Sequence, residues 1–202
     1  MPEPVPPTPA GRWRADADGR RWWFDSGSVA LDFAYTGSLD GSDAEQFHAP
    51  EDLAVWLRAT MPIAIGPARS RDLFDAVSLR EAIAHLAVAA SRRTGLAAAD
   101  IDVVNLFAAT PDVPPVLAGG TRQAGRSVHP VGQALSTIAR EAVVLFGERA
   151  ERIRACEGED CGLVFHDTSR AGNRRWCSMQ RCGNRAKVRA HRARRRPELA
   201  AS

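Results

Sequence analysis

Apolar positions recur at helical spacing over several stretches of the chain, and these predict its main elements. Leu53, Val55, Trp56 and Leu57 predict a short helix over residues 51–61 that stops before Pro62, because a proline disfavours helical backbone in the residue ahead of it. The strongest pattern covers residues 69–93. There Leu73, Val77, Ala84 and Val88 share one face while Leu79, Ile83, Leu86 and Ala90 share another, and a helix apolar on two sides is sandwiched in a core. Gly95 is placed to cap its C-terminus. Asp100 opens a further short helix over residues 100–109. Val131, Leu135, Ile138, Ala142 and Leu145 then predict a long amphipathic helix from Val131 to about Ile153, running directly into Cys156. With no flexible linker at that join, the C-terminal segment should be held at a fixed orientation to the helical body.

Elsewhere the helical period breaks. Five prolines among the first nine residues remove backbone donors, so residues 1–12 are expected to form a disordered leader without a function of their own. Residues 12–33 mix aromatics with an Asp-Gly turn signal and predict a short hairpin or an opening strand. A second small hairpin is predicted between Val116–Leu117 and Ser127–Val128, across Gly119-Gly120. Trp22, Trp23 and Phe24 are expected to pack the core, and Trp23 is the member to test for a ligand pocket. Arg80 interrupts an apolar face of the central helix. A lone guanidinium there needs a buried partner, or else it marks an anion pocket. Asp32, Asp40, Asp43 and Glu45 read as solvated surface, and residues 1–155 contain no phosphate-binding glycine loop, HExxH motif or internal repeat.

Charge divides the chain in the same place as the pattern. The 202 residues carry a net charge of +3, but residues 1–150 hold 14 Lys and Arg against 18 Asp and Glu (−4), and residues 151–202 hold 13 against 6 (+7). Between Arg170 and Arg196 stand ten arginines and one lysine without a single acid, a run that attracts polyanions. No apolar run is long enough to span a membrane, and the N-terminus lacks the basic start and apolar core of a signal peptide, so the expected compartment is the cytoplasm.

In a reducing compartment clustered cysteines are metal ligands before they are disulfides. All four lie together as Cys156, Cys161, Cys177 and Cys182, two C-x4-C pairs that place four thiolates at the corners of a tetrahedron, as structural Zn2+ requires. A redox or iron–sulfur role, and replacement of one ligand by His166 or His191, are the alternatives. Gly162 and Gly183 follow the second cysteine of each pair and let the backbone turn around the metal. Four thiolates leave no open position for water, which argues against an enzyme using this metal.

Leu163, Val164 and Phe165 predict a short strand, Phe165 and Trp176 supply the large apolar groups, and helix formers follow Cys182 without a breaker before Pro197. Knuckle, hairpin and helix make a treble-clef-like finger. On that helix Arg181, Arg185, Arg189, Arg192 and Arg196 step by three or four residues and form one stripe, the length of which suits a phosphate backbone. The expected fold class is therefore mainly α with a small β-hairpin, followed by a small treble-clef-like zinc finger. Its segments are a leader at 1–12, a helical domain at 13–153, the finger with its basic helix at 154–196 and a tail at 197–202.

The stretch from Cys161 to Arg194 resembles the CGNR zinc finger, named for a tetrapeptide that here is Cys182, Gly183, Asn184 and Arg185. The match takes in Phe165, Asp167, Ser169 and Arg170, then Arg174, Arg175, Trp176, Cys177, Ser178 and Met179. Residues 30–36, Ala-Leu-Asp-Phe-Ala-Tyr-Thr, resemble the opening motif of the ABATE domain, with Tyr35 where asparagine is commoner, and residues 79–82 resemble its central-helix motif. The combination implies a bacterial stress-induced transcription regulator.

From residues and resemblance together, the expected function is a DNA-binding regulator whose first domain senses a ligand or dimerises. Asn184 and Arg185 are the candidates for base edges; Arg174, Arg175, Arg181, Lys187, Arg189 and Arg192 are the candidates for phosphate. Two rivals remain: an RNA-binding or ribosome-associated zinc protein, and a ligand-binding protein or enzyme with its pocket around Trp23 and Arg80.

Overall fold

A computed structural model describes residues 11–15, 19–37, 39, 45–61, 63–115, 117, 121 and 127–199, with side chains described as far as Arg194. The hairpin expected across Gly119-Gly120, most of the leader, Asp40 and Asp43 fall outside these residues. Strands β1 (Arg12–Ala15) and β2 (Arg21–Phe24) pair antiparallel, with Trp13 opposite Trp23. The helices are α1 (Val29–Ala34), α2 (Pro50–Thr60), α3 (Ser70–Ser91), α4 (Ala98–Ala108) and α5 (Val131–Glu148). A 3-10 turn (Ala150–Arg152), β3 (Ile153–Ala155), β4 (Val164–His166) and α6 (Asn184–Leu199) complete the chain, α6 carrying Pro197 within its last turn.

Helix α3 is the centre of the body. It packs against α1, α2, α4 and α5, and also against β3 and β4. Its buried apolar residues are Ala76, Leu79, Ala82, Ile83, Leu86, Ala87 and Ala90, whereas Leu73, Val77, Ala84 and Val88 are only half-buried, so one of the two apolar faces carries the core. The helix does not end on Gly95. Arg93 takes the left-handed backbone (φ 59), the Arg93 N–H donates to Ala90 O (3.1 Å) and the Thr94 N–H donates to Ala89 O (3.0 Å), a Schellman closure built on an arginine.

Two polar expectations change, those for Glu45 and Asp32, while Arg80 has the partner that its position calls for. Arg80 is buried, and its guanidinium donates to both carboxylate oxygens of Glu45 at 2.7 and 2.6 Å and to Thr36 O at 3.3 Å. Glu45 is therefore an ion-pair partner although its side chain stays exposed, and this contact holds its carboxyl below the usual range. Asp32 is also buried, in α1, where Oδ2 accepts the Gly11 N–H at 2.6 Å. Burial pushes its carboxyl up to about 6, outweighing the lowering effect of its donors and of Arg12.

The long C-terminal helix of the body is shorter than its sequence pattern, ending at Glu148 instead of running into Cys156. Ile153 continues the apolar spacing, but it is the first residue of β3 and pairs with His166 of β4. The join is nonetheless firm. The Arg93 guanidinium donates to Ala150 O (3.0 Å) and Glu151 O (2.5 Å), and Ile153 and Phe165 are fully buried in the core that also holds α3 and α1. Tyr35 Oη donates to Val164 O (2.8 Å) and accepts the Val164 N–H (2.7 Å), and the His166 N–H donates to Ser26 O (2.8 Å). Gly27, at φ +77, lies so close to the His166 carbonyl that a side chain there would collide with it. A single apolar cluster thus runs from the body into the C-terminal hairpin. No described helix is long and apolar enough to cross a membrane.

Candidate metal centre and nucleic-acid interface

Cys156 leaves β3 with its N–H donating to Leu163 O (2.8 Å), and the chain turns through Gly158 and the left-handed Asp160 (φ 56) to reach Cys161 before β4. The second pair is set by Ser178, which caps a π-helical turn over Met179–Gly183 by accepting the Gln180 N–H at 3.2 Å. That turn carries Cys182 and leads into α6. The four Sγ atoms all lie within 4.8 Å of one another, with Cys161–Cys177 and Cys177–Cys182 at 3.6 Å. Tetrahedral Zn2+ with bonds of about 2.3 Å separates its sulfurs by about 3.8 Å, so the donor set has the right size for that ion.

Backbone N–H groups complete the environment. Gly158 (3.4 Å) and Cys177 (3.2 Å) both donate to Cys156 Sγ. With only protein around them the thiols cannot all ionise. Hydrogen bonds donated by Cys161 and Cys177 drive Cys156 down, while accepting that role raises Cys177, and burial raises Cys182. A divalent cation removes this conflict by letting every sulfur be a thiolate. His166 donates through Nδ1 to Gly27 O (3.2 Å), and His191 is exposed on α6; neither joins the sulfur cluster. The glycine that the centre needs is also not Gly162. A Cβ on Gly158 would stand 2.7 Å from Cys182 Sγ, whereas around Gly162 there is open space.

Asp167, the residue after β4, is fully buried. Its burial alone would raise its pKa, but Oδ1 accepts the Ser169 N–H (2.9 Å) and Oδ2 the Arg174 N–H (2.8 Å), and together these hold it low. Arg174, expected on phosphate, faces inward instead. Its guanidinium donates to Trp176 O (3.0 Å), Cys177 O (2.6 Å) and Asp25 O (2.8 Å), and lies 4.2 Å over the Phe165 ring. Three main-chain carbonyl acceptors and the Phe165 ring account for its place in the motif. Trp23, the other pocket candidate beside Arg80, packs edge-to-face on Trp13 at 5.6 Å, and no described contact brings Trp23 and Arg80 together.

The remaining basic candidates face outward, except Arg181, which is half-buried. Arg175 pairs with Glu157 (2.6 Å) and lies over Trp176, Arg189 pairs with Glu159, and Asn184, Arg185, Lys187 and Arg192 are exposed along α6. Arg181 stacks 4.0 Å over the ring of Trp22, joining the start of α6 to β2. Between these elements lies a cleft of about 470 Å³. Arg181, Arg185, Arg189 and Arg192 line its α6 side, Arg20 and Arg21 its β2 side, and no carboxylate lines it. The sequence reading missed the second side. Its only signal was a pair of arginines next to Trp22, far from the basic run in sequence.

Two family models match the chain. The CGNR zinc finger covers residues 152–195, and ABATE, described as "putative stress-induced transcription regulator", covers residues 27–149. No curated protein matches it. With the ABATE model spanning more than half of its length and the cysteine-rich finger directly following, the chain belongs to the ABATE family and carries a CGNR zinc finger.

Proposed function

We propose that this protein is a non-catalytic transcription regulator that binds duplex DNA through α6. The observation that carries the reading is an arginine-rich helix, without an acid from Asn184 to Pro197, set directly after a four-sulfur centre that fixes its direction. Bound there, Zn2+ supplies structure and no reaction. Asn184 and Arg185 stand exposed in the first turn of α6, where a helix entering the major groove presents side chains to base edges. Lys187, Arg189 and Arg192 follow on the exposed surface and suit phosphate. The helical domain supplies a rigid support and, in this reading, the place where a ligand or a second copy acts.

Electrophoretic mobility shift of duplex fragments over a salt series tests the proposal. Binding at low salt that weakens steeply as salt rises is expected. Absence of a shift at low salt, or complete displacement by structured RNA at equal concentration, would overturn it in favour of no nucleic-acid role or an RNA role.

A further inference from the structure

We infer that Arg174 is a positioning residue of the metal centre: body and finger together hold its guanidinium beside Cys177, where its charge offsets that of zinc on four thiolates. Zn2+ on four thiolates keeps a net negative charge, and with Cys161, Cys177 and Cys182 buried such an excess needs a cation close by. The inference rests on the zinc centre and is independent of what α6 binds.

Arg174 is placed from two sides. Within the finger, its Nε donates to Trp176 O at 3.0 Å and an Nη donates to Cys177 O at 2.6 Å, so the cation sits against the backbone of a ligand. From the body, Asp25 O accepts the same Nη at 2.8 Å. Asp25 opens the loop between β2 and α1, which turns three successive carbonyls to the finger: Ser26 O accepts the His166 N–H at 2.8 Å, and Gly27 O accepts from His166 Nδ1 at 3.2 Å. The buried Phe165 ring lies 4.2 Å from the guanidinium carbon. All of these partners are neutral, and among the described residues no carboxylate touches the guanidinium. Burial lowers the pKa of Arg174, and the groups that oppose this are Asp25, Cys177, Asp167 and Cys156, two of them ligands. A half-buried cation on neutral carbonyls is thus matched to a sulfur cluster that carries excess negative charge when loaded.

Competition with a chromogenic chelator measures zinc affinity in the full-length protein and in Arg174→Gln, Arg174→Lys and Tyr35→Phe. Substitutions behind a metal ligand cost about ten- to a hundredfold in affinity, and Arg174→Gln, which removes the charge, should fall in that range. Arg174→Lys should stay within about threefold of wild type, because an ammonium keeps the charge and has three donors for the three carbonyls. Tyr35→Phe loosens the other joint between body and finger without touching this charge, and should also stay within about threefold. An affinity that Arg174→Gln leaves within about threefold of wild type overturns the inference. Equal losses in the Gln and Lys variants also overturn it, since charge would not be the cause, as does an equal loss in Tyr35→Phe, since any loosened joint would then release the metal. If Arg174→Gln does not fold, Arg174→Lys decides alone: about a tenfold loss in a variant that keeps the cation overturns the inference, and wild-type affinity upholds it. A wild-type protein that binds no zinc removes it outright.

Discussion

Tyr35 and Val164 form a reciprocal pair: the Tyr35 hydroxyl donates to Val164 O at 2.8 Å and accepts from Val164 N at 2.7 Å, closing an otherwise open position at the β4 backbone. Both residues are buried. Tyr35→Phe removes one oxygen and strands a donor and an acceptor. The expected loss is about 1–3 kcal/mol of stability, read as a lower midpoint in chemical denaturation with unchanged zinc content. An unaltered midpoint would show that the pair does not stitch the body to the finger.

Metal should hold more than the finger. Zinc analysis is expected to give one ion per chain, and Cys177→Ser should abolish it, because Cys177 is the sulfur in contact with both Cys161 and Cys182. Since Ile153 and Phe165 share the core of α3, chelation should also lower the melting temperature of the helical signal in circular dichroism. A helical transition indifferent to chelator would contradict the shared core. Gly158→Ala should weaken zinc retention by tenfold or more, as its Cβ would meet Cys182 Sγ, whereas Gly162→Ala should not.

Asp32 predicts an unusual dependence on pH. Its carboxyl is raised from 3.8 to about 6 in the folded protein, so the folded state holds its proton more tightly than the unfolded one. Its contribution to stability is therefore greatest in acid, falls as pH rises from about 4 to 6, and is constant above that, a span of about 3 kcal/mol. Asp32→Asn keeps an acceptor for the Gly11 N–H and removes the buried charge. Denaturation at pH 7.5 should find the variant the more stable, with the difference roughly halved at pH 5. A difference that grows toward acid would reverse the sign and refute the assignment.

The ion pair between Arg80 and Glu45 makes a different kind of prediction. Glu45→Gln leaves a buried guanidinium without its counter-charge and should cost about 1–3 kcal/mol, tempered because the glutamate itself is partly exposed. Zinc content and nucleic-acid affinity measured under folding conditions should not change. A specific loss of small-molecule binding in this variant would instead revive Arg80 as part of a pocket.

The helices α2 to α5 were legible because long amphipathic stretches repeat their apolar positions, and the four ligands because cysteine pairs carry their spacing openly. The rest depended on partners distant in sequence. Ile153 prolongs the periodicity of α5 and becomes a strand residue only because His166 is available to pair with it. Asp32 and Glu45 look like surface acids until Gly11 and Arg80 are placed against them. Arg174 resembles every other arginine of the basic run, yet three main-chain carbonyls claim it. Arg93 ends α3 in a left-handed turn that its side chain gives no hint of, while the nearby Gly95 advertises a cap that it does not provide.

The position of Gly27 against the His166 carbonyl bears on how such proteins can be recombined. A finger grafted from a relative at the join near residue 150 would bring its own β4 against this body, and any shift of that strand would collide with the Gly27 backbone or pull Val164 away from Tyr35. Fingers of this family should therefore exchange productively only between bodies that match at these two positions. A finger moved as a free-standing cassette would lose the contacts that hold this one still.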